Sequence, residues 1–153
     1  MTDDDVVVTR DDFAYRLDIP TRWMDNDMHG HVNNVQYYSF FDTIVTTWLI
    51  DEAAYDVRSE DVVGLCVSSA CDFRAPLSFP EVIDARLRVG RIGTSSVRYE
   101  IALFGQGSTD AAATGSFVHV YVSRADRRPR PIPQRLLEAL GRLRRNGASD
   151  GAD

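Results

Sequence analysis

The spacing of apolar positions changes character several times along the chain. Phe13, Tyr15, Leu17 and Ile19 alternate with Asp12, Ala14, Arg16 and Asp18, the period of two expected of a half-buried strand. Pro20 ends that strand or places it at a sheet edge. Residues 24–34 are polar, contain Gly30 and read as a loop. From Val35 the period lengthens: Val35, Tyr38, Phe41, Val45, Trp48 and Leu49 recur at helical spacing, with Tyr37, Phe40 and Ile44 widening the apolar face. One helix to about Ala54 follows, about 30 Å long at 1.5 Å per residue, with Asn33 or Asn34 a natural N-cap. A helix apolar over so much of its circumference is expected to be buried on most sides.

Four further strands are predicted. Residues 62–73 are rich in β-formers and small residues. Ile83, Ala85, Leu87 and Val89 alternate with Asp84, Arg86 and Arg88, and Val97, Tyr99, Ile101 and Leu103 with Ser96, Arg98, Glu100 and Ala102. Residues 117–122 form the fifth strand. Turn residues separate them: Pro76 and Pro80, Gly90 and Gly93, then residues 105–110. After a Pro/Arg connector at 124–133, Leu136, Leu137, Leu140 and Leu143 mark a short amphipathic helix with Pro133 near its start. Residues 1–10 read as a flexible acidic lead, 11–145 as a single domain and 146–153 as a disordered tail.

Strand, long helix, four strands and short helix fit an α+β fold: an antiparallel five-stranded sheet wrapped around one long central helix. One sheet cannot cover every side of that helix, and its edge strands need partners, so the pattern points to self-association.

At 153 residues, with 44% hydrophobic and 26% charged residues, the composition is that of an ordinary globular domain. No apolar run approaches the roughly 20 residues of a membrane span. The acidic start at residues 1–5 lacks the charge and apolar core of a secretory leader, so a cytoplasmic location is expected. Cys66 and Cys71 lie five apart in one predicted strand and would point to opposite faces, which argues against a disulfide between them. The net charge of −6 divides unevenly, with 5 Arg against 15 acids in residues 1–77 and 12 Arg against 8 acids in 78–153. All 17 basic residues are Arg. The basic half suits either a phosphorylated ligand or a solvated face. The acidic total and the scatter of Arg along strands exclude a nucleic-acid role.

The stretch Asp25-Asn26-Asp27-Met28-His29-Gly30-His31-Val32-Asn33-Asn34 holds the chemistry. It sets two carboxylates, two imidazoles and several amides before an apolar helix, whose N-terminus offers free N–H groups and a partial positive charge. An acyl carbonyl seated there has its developing oxyanion stabilised, and a neighbouring carboxylate attacks or activates water. Three alternatives compete: a metal held by His29, His31, Asp25 and Asp27; His31 as a general base; or a plain turn and helix cap.

Arg22-Trp23-Met24-Asp25-Asn26-Asp27-Met28-His29-Gly30-His31-Val32-Asn33-Asn34-Val35-Gln36-Tyr37-Tyr38, followed by Phe40-Phe41-Asp42, closely resembles the opening of the hotdog-fold acyl-CoA thioesterases, the 4-hydroxybenzoyl-CoA thioesterase-like family. The family pattern is Asp-x-Asp-x-x-Gly-His-Val-Asn-Asn-x-x-Tyr. Phe73-Arg74-Ala75-Pro76-Leu77, Ile92-Gly93-Thr94-Ser95-Ser96, Ala113-Thr114-Gly115 and Pro131-Ile132-Pro133 sit at family-like places, so the likeness spans roughly residues 12–140. The resemblance implies a hotdog fold, a dimer or dimer of dimers, and an active site at the subunit interface. It implies hydrolysis of an acyl-CoA or acyl-carrier-protein thioester with no metal and no cofactor beyond the coenzyme A of the substrate. The catalytic carboxylate then falls on Asp27 and the oxyanion amide on or near Asn34. Gly30, His31, Asn33 and Tyr37 shape the loop and pocket. Arg91, Gly93, Thr94 and Ser95 seat pantetheine or nucleotide, although relatives with several consecutive basic residues there differ from this chain. Asp25 is expected to pair with Arg or cap the turn, and Asp42 to serve as a buried partner of an Arg or a second polar group. A non-hydrolytic acyl-thioester binding domain and a hotdog dehydratase or hydratase are the alternative functions on the same fold.

Overall fold

A computed structural model describes residues 7–144, so the expectations for residues 1–6 and for the tail from 145 onward lie outside the described residues. Strands β1 (Tyr15–Pro20), β2 (Val62–Phe73), β3 (Val82–Ile92), β4 (Ser96–Phe104) and β5 (Ala111–Ser123) form one sheet in the order β1-β3-β4-β5-β2, every neighbouring pair antiparallel. Helix α1 (Gln36–Asp51) packs on the inner face, and α2 (Gln134–Arg142) closes one end with Leu136, Ala139 and Leu140. The sheet and central helix are those the alternating and helical periods predict. Among the described residues no helix is long and apolar enough to cross a membrane.

The core follows from the two periods. From α1, Tyr37, Phe40, Phe41, Ile44, Val45 and Trp48 face inward. They meet Ile83, Ala85, Leu87 and Val89 of β3, alternate residues of β4 and Phe117 and Tyr121 of β5. Helix and sheet approach closely at Gly115, where a Cβ would lie 2.3 Å from the Phe41 ring. The outer face is charged and largely self-neutralised. Arg10 and Arg86 pair with Asp84, and Arg88 lies over Phe13 with its Nε 2.7 Å from Glu100. Within the basic half, Arg86, Arg88 and Arg98 are engaged in ion pairs along the strands.

Four local expectations are corrected. Helix α1 is shorter than predicted and is buried on one side only, leaving Tyr38, Asp42, Thr43, Thr46 and Ile50 exposed. Strand β5 starts at Ala111, not Phe117, because its first residues are alanines small enough to be buried without alternation. Strand β3 runs through Gly90 by way of an irregularity between Val89 and Arg91, so the β3–β4 turn is only residues 93–95. A bulge between Cys66 and Ser68 shifts the phase of β2 by one residue. Cys66 then pairs with His119 and Cys71 with Gly115, both on the helix-facing side of β5, so the two cysteines share a face; both are free thiols.

Strand β2 is a long open edge. Leu65, Cys66, Val67, Ser68, Ser69, Ala70 and Phe73 are exposed, Val67 by 60%. Tyr38 and Ile50 are exposed on the neighbouring helix.

Candidate active site

The loop before α1 is a tight, pinned structure. The Gly30 amide donates to the Asp27 carbonyl at 3.0 Å and the Asp27 amide to the His31 carbonyl at 3.0 Å. The reversal needs a left-handed residue, and Gly30 supplies it at φ +79°. Segment 76–81 supports the turn from below. Val32 N–H donates to the Leu77 carbonyl, Ser78 Oγ to the Gly30 carbonyl, and Phe79 N–H to Asn26 Oδ1.

Asp25 is fully buried, and it does both things expected of it. Its Oδ2 accepts the Arg22 amide at 2.7 Å, and its Oδ1 accepts the Arg22 guanidinium from Nη2 at 2.9 Å and Nε at 3.1 Å. Its own carbonyl receives the Asn33 amide. Asp25 is thus a brace that fixes the backbone where Asn33 begins.

Asn33 joins the carboxylate to the helix. Its Nδ2 donates to Asp27 Oδ2 at 3.1 Å, while its Oδ1 accepts the Val35 amide at 3.0 Å. The other oxygen of Asp27 accepts the His29 amide at 2.8 Å. Gln36 and Tyr37 amides find the Asn33 and Asn34 carbonyls. The Asn34 amide, flanked by these satisfied groups, makes no hydrogen bond among the described residues. The Asn33 side chain therefore ties the Asp27 carboxylate to the Val35 amide, and the free Asn34 amide lies one residue before that amide in the chain. Beside them is a shallow recess of about 350 Å³ lined by His31, Asn34, Tyr37, Phe73 and Arg74. Tyr37 is both core and lining: buried, edge-on to Phe73 at 4.8 Å, its hydroxyl pushed up by burial. His29 and His31 are exposed, and among the described residues no three His, Cys, Asp or Glu side chains gather as metal ligands.

The family model of the thioesterase-like superfamily matches residues 21–140. The chain belongs to that superfamily. It is a hotdog thioester hydrolase, the first of the functional readings that the loop suggests. Among solved structures it is similar to the PA5185 protein from Pseudomonas aeruginosa strain PAO1, with 50% identity and a TM-score of 0.87 over 91% of this chain and 97% of that one. It is also similar to a thioesterase from Thermus thermophilus complexed with coenzyme A and zinc, with 25% identity and a TM-score of 0.70 over 84% and 92% of the two chains. A 1,4-dihydroxy-2-naphthoyl-CoA thioesterase from Synechocystis shares the fold at 18% identity, with a TM-score of 0.77 over 83% and 95%. No curated protein matches.

The hydrolase does not bring all the predicted site residues together within one chain. Asp27, Gly30, His31, Asn33, Asn34 and Tyr37 cluster at the start of α1. Arg91, Gly93, Thr94 and Ser95 lie at the far end of β3, where the Thr94 carbonyl accepts the Ile132 amide and the Ser95 carbonyl the Tyr121 amide. The length of β3, about 35 Å at 3.3 Å per residue, separates the two groups.

Sequence reasoning missed a second polar cluster. His119 on β5 is 9% exposed, and its Nδ1 has no hydrogen-bond partner among the described residues. Its ring helps line a cavity of about 200 Å³ with Asp42, Thr46, Leu49, Ile50, Tyr55, Cys66 and Tyr121. Burial pushes the imidazole down to about 4, and partial desolvation on an otherwise exposed side chain raises the Asp42 carboxyl. Asp42 is exposed and has no Arg beside it among the ion pairs of the described residues, so its expected role as a buried Arg partner is not what the structure gives. A lone histidine in an alternating strand carries no sequence signal; only the pairing of β5 with β2, under α1, places it beside Asp42.

Proposed function

We propose that the protein hydrolyses acyl-coenzyme A thioesters at the start of α1, with Asp27 as the catalytic carboxylate and the Asn34 amide as the oxyanion donor. The observation that carries this reading is the Asn33 bridge, which joins the Asp27 carboxylate to the Val35 amide at the helix entry, one residue past the unengaged Asn34 amide that borders an open recess. The thioester carbonyl oxygen accepts the Asn34 N–H, and charge developing on it is stabilised there; one such donor contributes roughly 3–4 kcal/mol in comparable sites. Asp27 takes a proton from water as its oxygen adds to the carbonyl carbon, or attacks that carbon to form an anhydride that water opens. In either course the C–S bond breaks, the thiolate takes up a proton, and acid and thiol leave. The chain's own groups suffice for these steps, so the proposal includes no cofactor.

The coenzyme A portion, as found in the Thermus relative, would lie along Arg91, Gly93, Thr94 and Ser95 of a second copy. The open β2 edge supports this arrangement, because an exposed strand with Leu65, Val67 and Phe73 is a ready surface for another copy of itself.

The test is thiol release from a panel of acyl-CoAs and an acyl-carrier thioester, for wild type and Asp27→Asn together. Wild type should turn over at least one acyl-CoA, and the variant should lose about 10²–10⁴-fold in kcat with its fold unchanged. Near-normal turnover in Asp27→Asn would refute the assignment. Turnover of the carrier thioester alone would move the substrate class away from coenzyme A.

A further inference from the structure

We propose that Ser78 is a positioning residue for the hydrolysis: its hydroxyl holds the corner at Gly30, and with it the His29 amide that one oxygen of Asp27 accepts. This rests on the thioesterase reading and adds to it a residue from outside the 25–34 loop.

The corner is open on its outer side. Residues 26–32 form a narrow hairpin, with Asn26 and Val32 bridged across it and the Asp27 amide on the His31 carbonyl. Its tip is Met28, His29 and Gly30, all exposed, Met28 by 96%. A Cβ built on Gly30 would meet no atom beyond its chain neighbours within 4 Å. Among the described residues the tip is therefore set by hydrogen bonds and not by packing.

Asp27 depends on that tip. Its Oδ1 accepts the His29 amide at 2.8 Å, and its Oδ2 accepts Asn33 Nδ2 at 3.1 Å, so one oxygen is held from the tip and the other from beyond the return arm. The 77–79 segment secures the hairpin at three points. The Phe79 amide donates to Asn26 Oδ1 at 3.0 Å on the outgoing arm, and the Leu77 carbonyl accepts the Val32 amide at 2.8 Å on the return arm. At the corner, Ser78 Oγ accepts from Asn26 Nδ2 at 3.4 Å and has one proton to give. The Gly30 carbonyl is at 2.7 Å and the Phe79 carbonyl at 3.4 Å, so Gly30 receives it. The first two bonds use the segment's backbone and survive a change of side chain. The third is lost with the hydroxyl. Gly30 sits at φ +79° and, having no Cβ, is re-aimed at little cost. With its carbonyl released the tip swings, the His29 amide leaves Oδ1, and the carboxylate turns about the bond that Asn33 still makes.

The experiment measures kcat and KM on the acyl-CoA that wild type hydrolyses best, with urea unfolding of each variant. Ser78→Ala should lower kcat about tenfold and keep KM within about twofold, because a misaimed carboxylate costs turnover and not binding. Ser78→Thr, which keeps the hydroxyl, should recover most of the loss. Thr21→Val is the control. The Thr21 hydroxyl donates to the Glu81 carbonyl, farther along the same stretch, so its loss weakens the stretch without freeing Gly30. That variant should unfold at lower urea with kcat within about twofold of wild type. Wild-type kcat in Ser78→Ala, equal losses in Ser78→Ala and Ser78→Thr, a loss confined to KM, or the same fall in Thr21→Val overturns the proposal. If Ser78→Ala does not fold, Ser78→Cys, a weaker donor of similar shape, carries the same expectation. If wild type hydrolyses no acyl-CoA, the thioesterase reading fails separately. Ser78 is then judged by NMR amide exchange at His29 and Gly30, which should quicken at least about fivefold in Ser78→Ala and not in Ser78→Thr. Unchanged exchange overturns its hold on the corner.

Discussion

His119 makes the stability of the folded chain depend on pH in a calculable way. Burial holds its imidazole at about 4 in the native state, against 6.5 for a free side chain. The unfolded chain therefore binds a proton at this position before the native state does. The sign follows: stability falls as pH drops through 6.5 and stops falling, for this group, below about 4. The full difference is about 3 kcal/mol, at 1.36 kcal/mol per unit. Between pH 7 and pH 5 the linkage relation gives about 2 kcal/mol, worth roughly 4–8 °C in Tm for a domain of this size.

The assay is urea unfolding of wild type and His119→Phe at pH 7 and pH 5, at one protein concentration so that any association is constant. Wild type should lose about 2 kcal/mol more than the variant over that interval. His119→Phe also removes an unpartnered buried polar atom, whose burial costs about 1–3 kcal/mol, so the variant should not be much weaker than wild type at pH 7. Parallel stability profiles, or an imidazole signal of His119 titrating near 6.5 by NMR, would refute the reasoning. Asp42 is the charged neighbour that could interfere. A carboxylate there favours protonation, so Asp42→Asn should deepen the pH dependence, not abolish it.

Two further expectations follow from the loop and the sheet edge. Asp25→Asn sets an amide NH₂ against Arg22 donors and forfeits one or two charge-assisted bonds; discounting for the exposed Arg22 side chain, the loss is about 2 kcal/mol by thermal unfolding, with kcat/KM falling as the brace under Asn33 loosens. Unchanged Tm and turnover would count against Asp25 as a brace. The wild-type chain should sediment as a dimer or larger at micromolar concentration, and a monomer would remove the role given to β2.

The loop was legible because its chemistry is local. Asp25, Asp27, Gly30 and Asn33 lie within nine residues, directly before a change of period from polar loop to apolar helix. The strands were legible where large apolar residues alternate, as in β3 and β4. They were not where Ala111, Ala112 and Ala113 are buried without alternation, nor at the β2 bulge, which leaves no residue signature and yet turns Cys66 toward His119. Strand order lay out of reach too. Asp42 and His119 become neighbours only because β5 lies between β4 and β2, and periodicity says nothing about which strand pairs with which.

That same strand order bears on how a whole site is assembled. In one chain, Asp27 and the 93–95 turn occupy opposite ends of the sheet, so neither end holds all the groups that the proposed substrate needs. Pairing of two β2 edges about a two-fold axis is antiparallel, and it reverses one sheet relative to the other. The end of one copy that carries Arg91 and Thr94 then lies on the same side as Asp27 of its partner. In such a dimer two sites would form, each with the carboxylate of one copy and the turn of the other. Complementation tests this directly. Asp27→Asn and Arg91→Glu chains are each expected to be weak alone at low acyl-CoA. In a mixed dimer one site has both lesions and the other has neither. Random mixing gives half mixed dimers with one intact site each, so unfolding and refolding the two chains together should restore about a quarter of wild-type activity. Activity that stays at the mean of the separate variants would mean that each chain works with its own turn or with none, and the shared site would have to be abandoned.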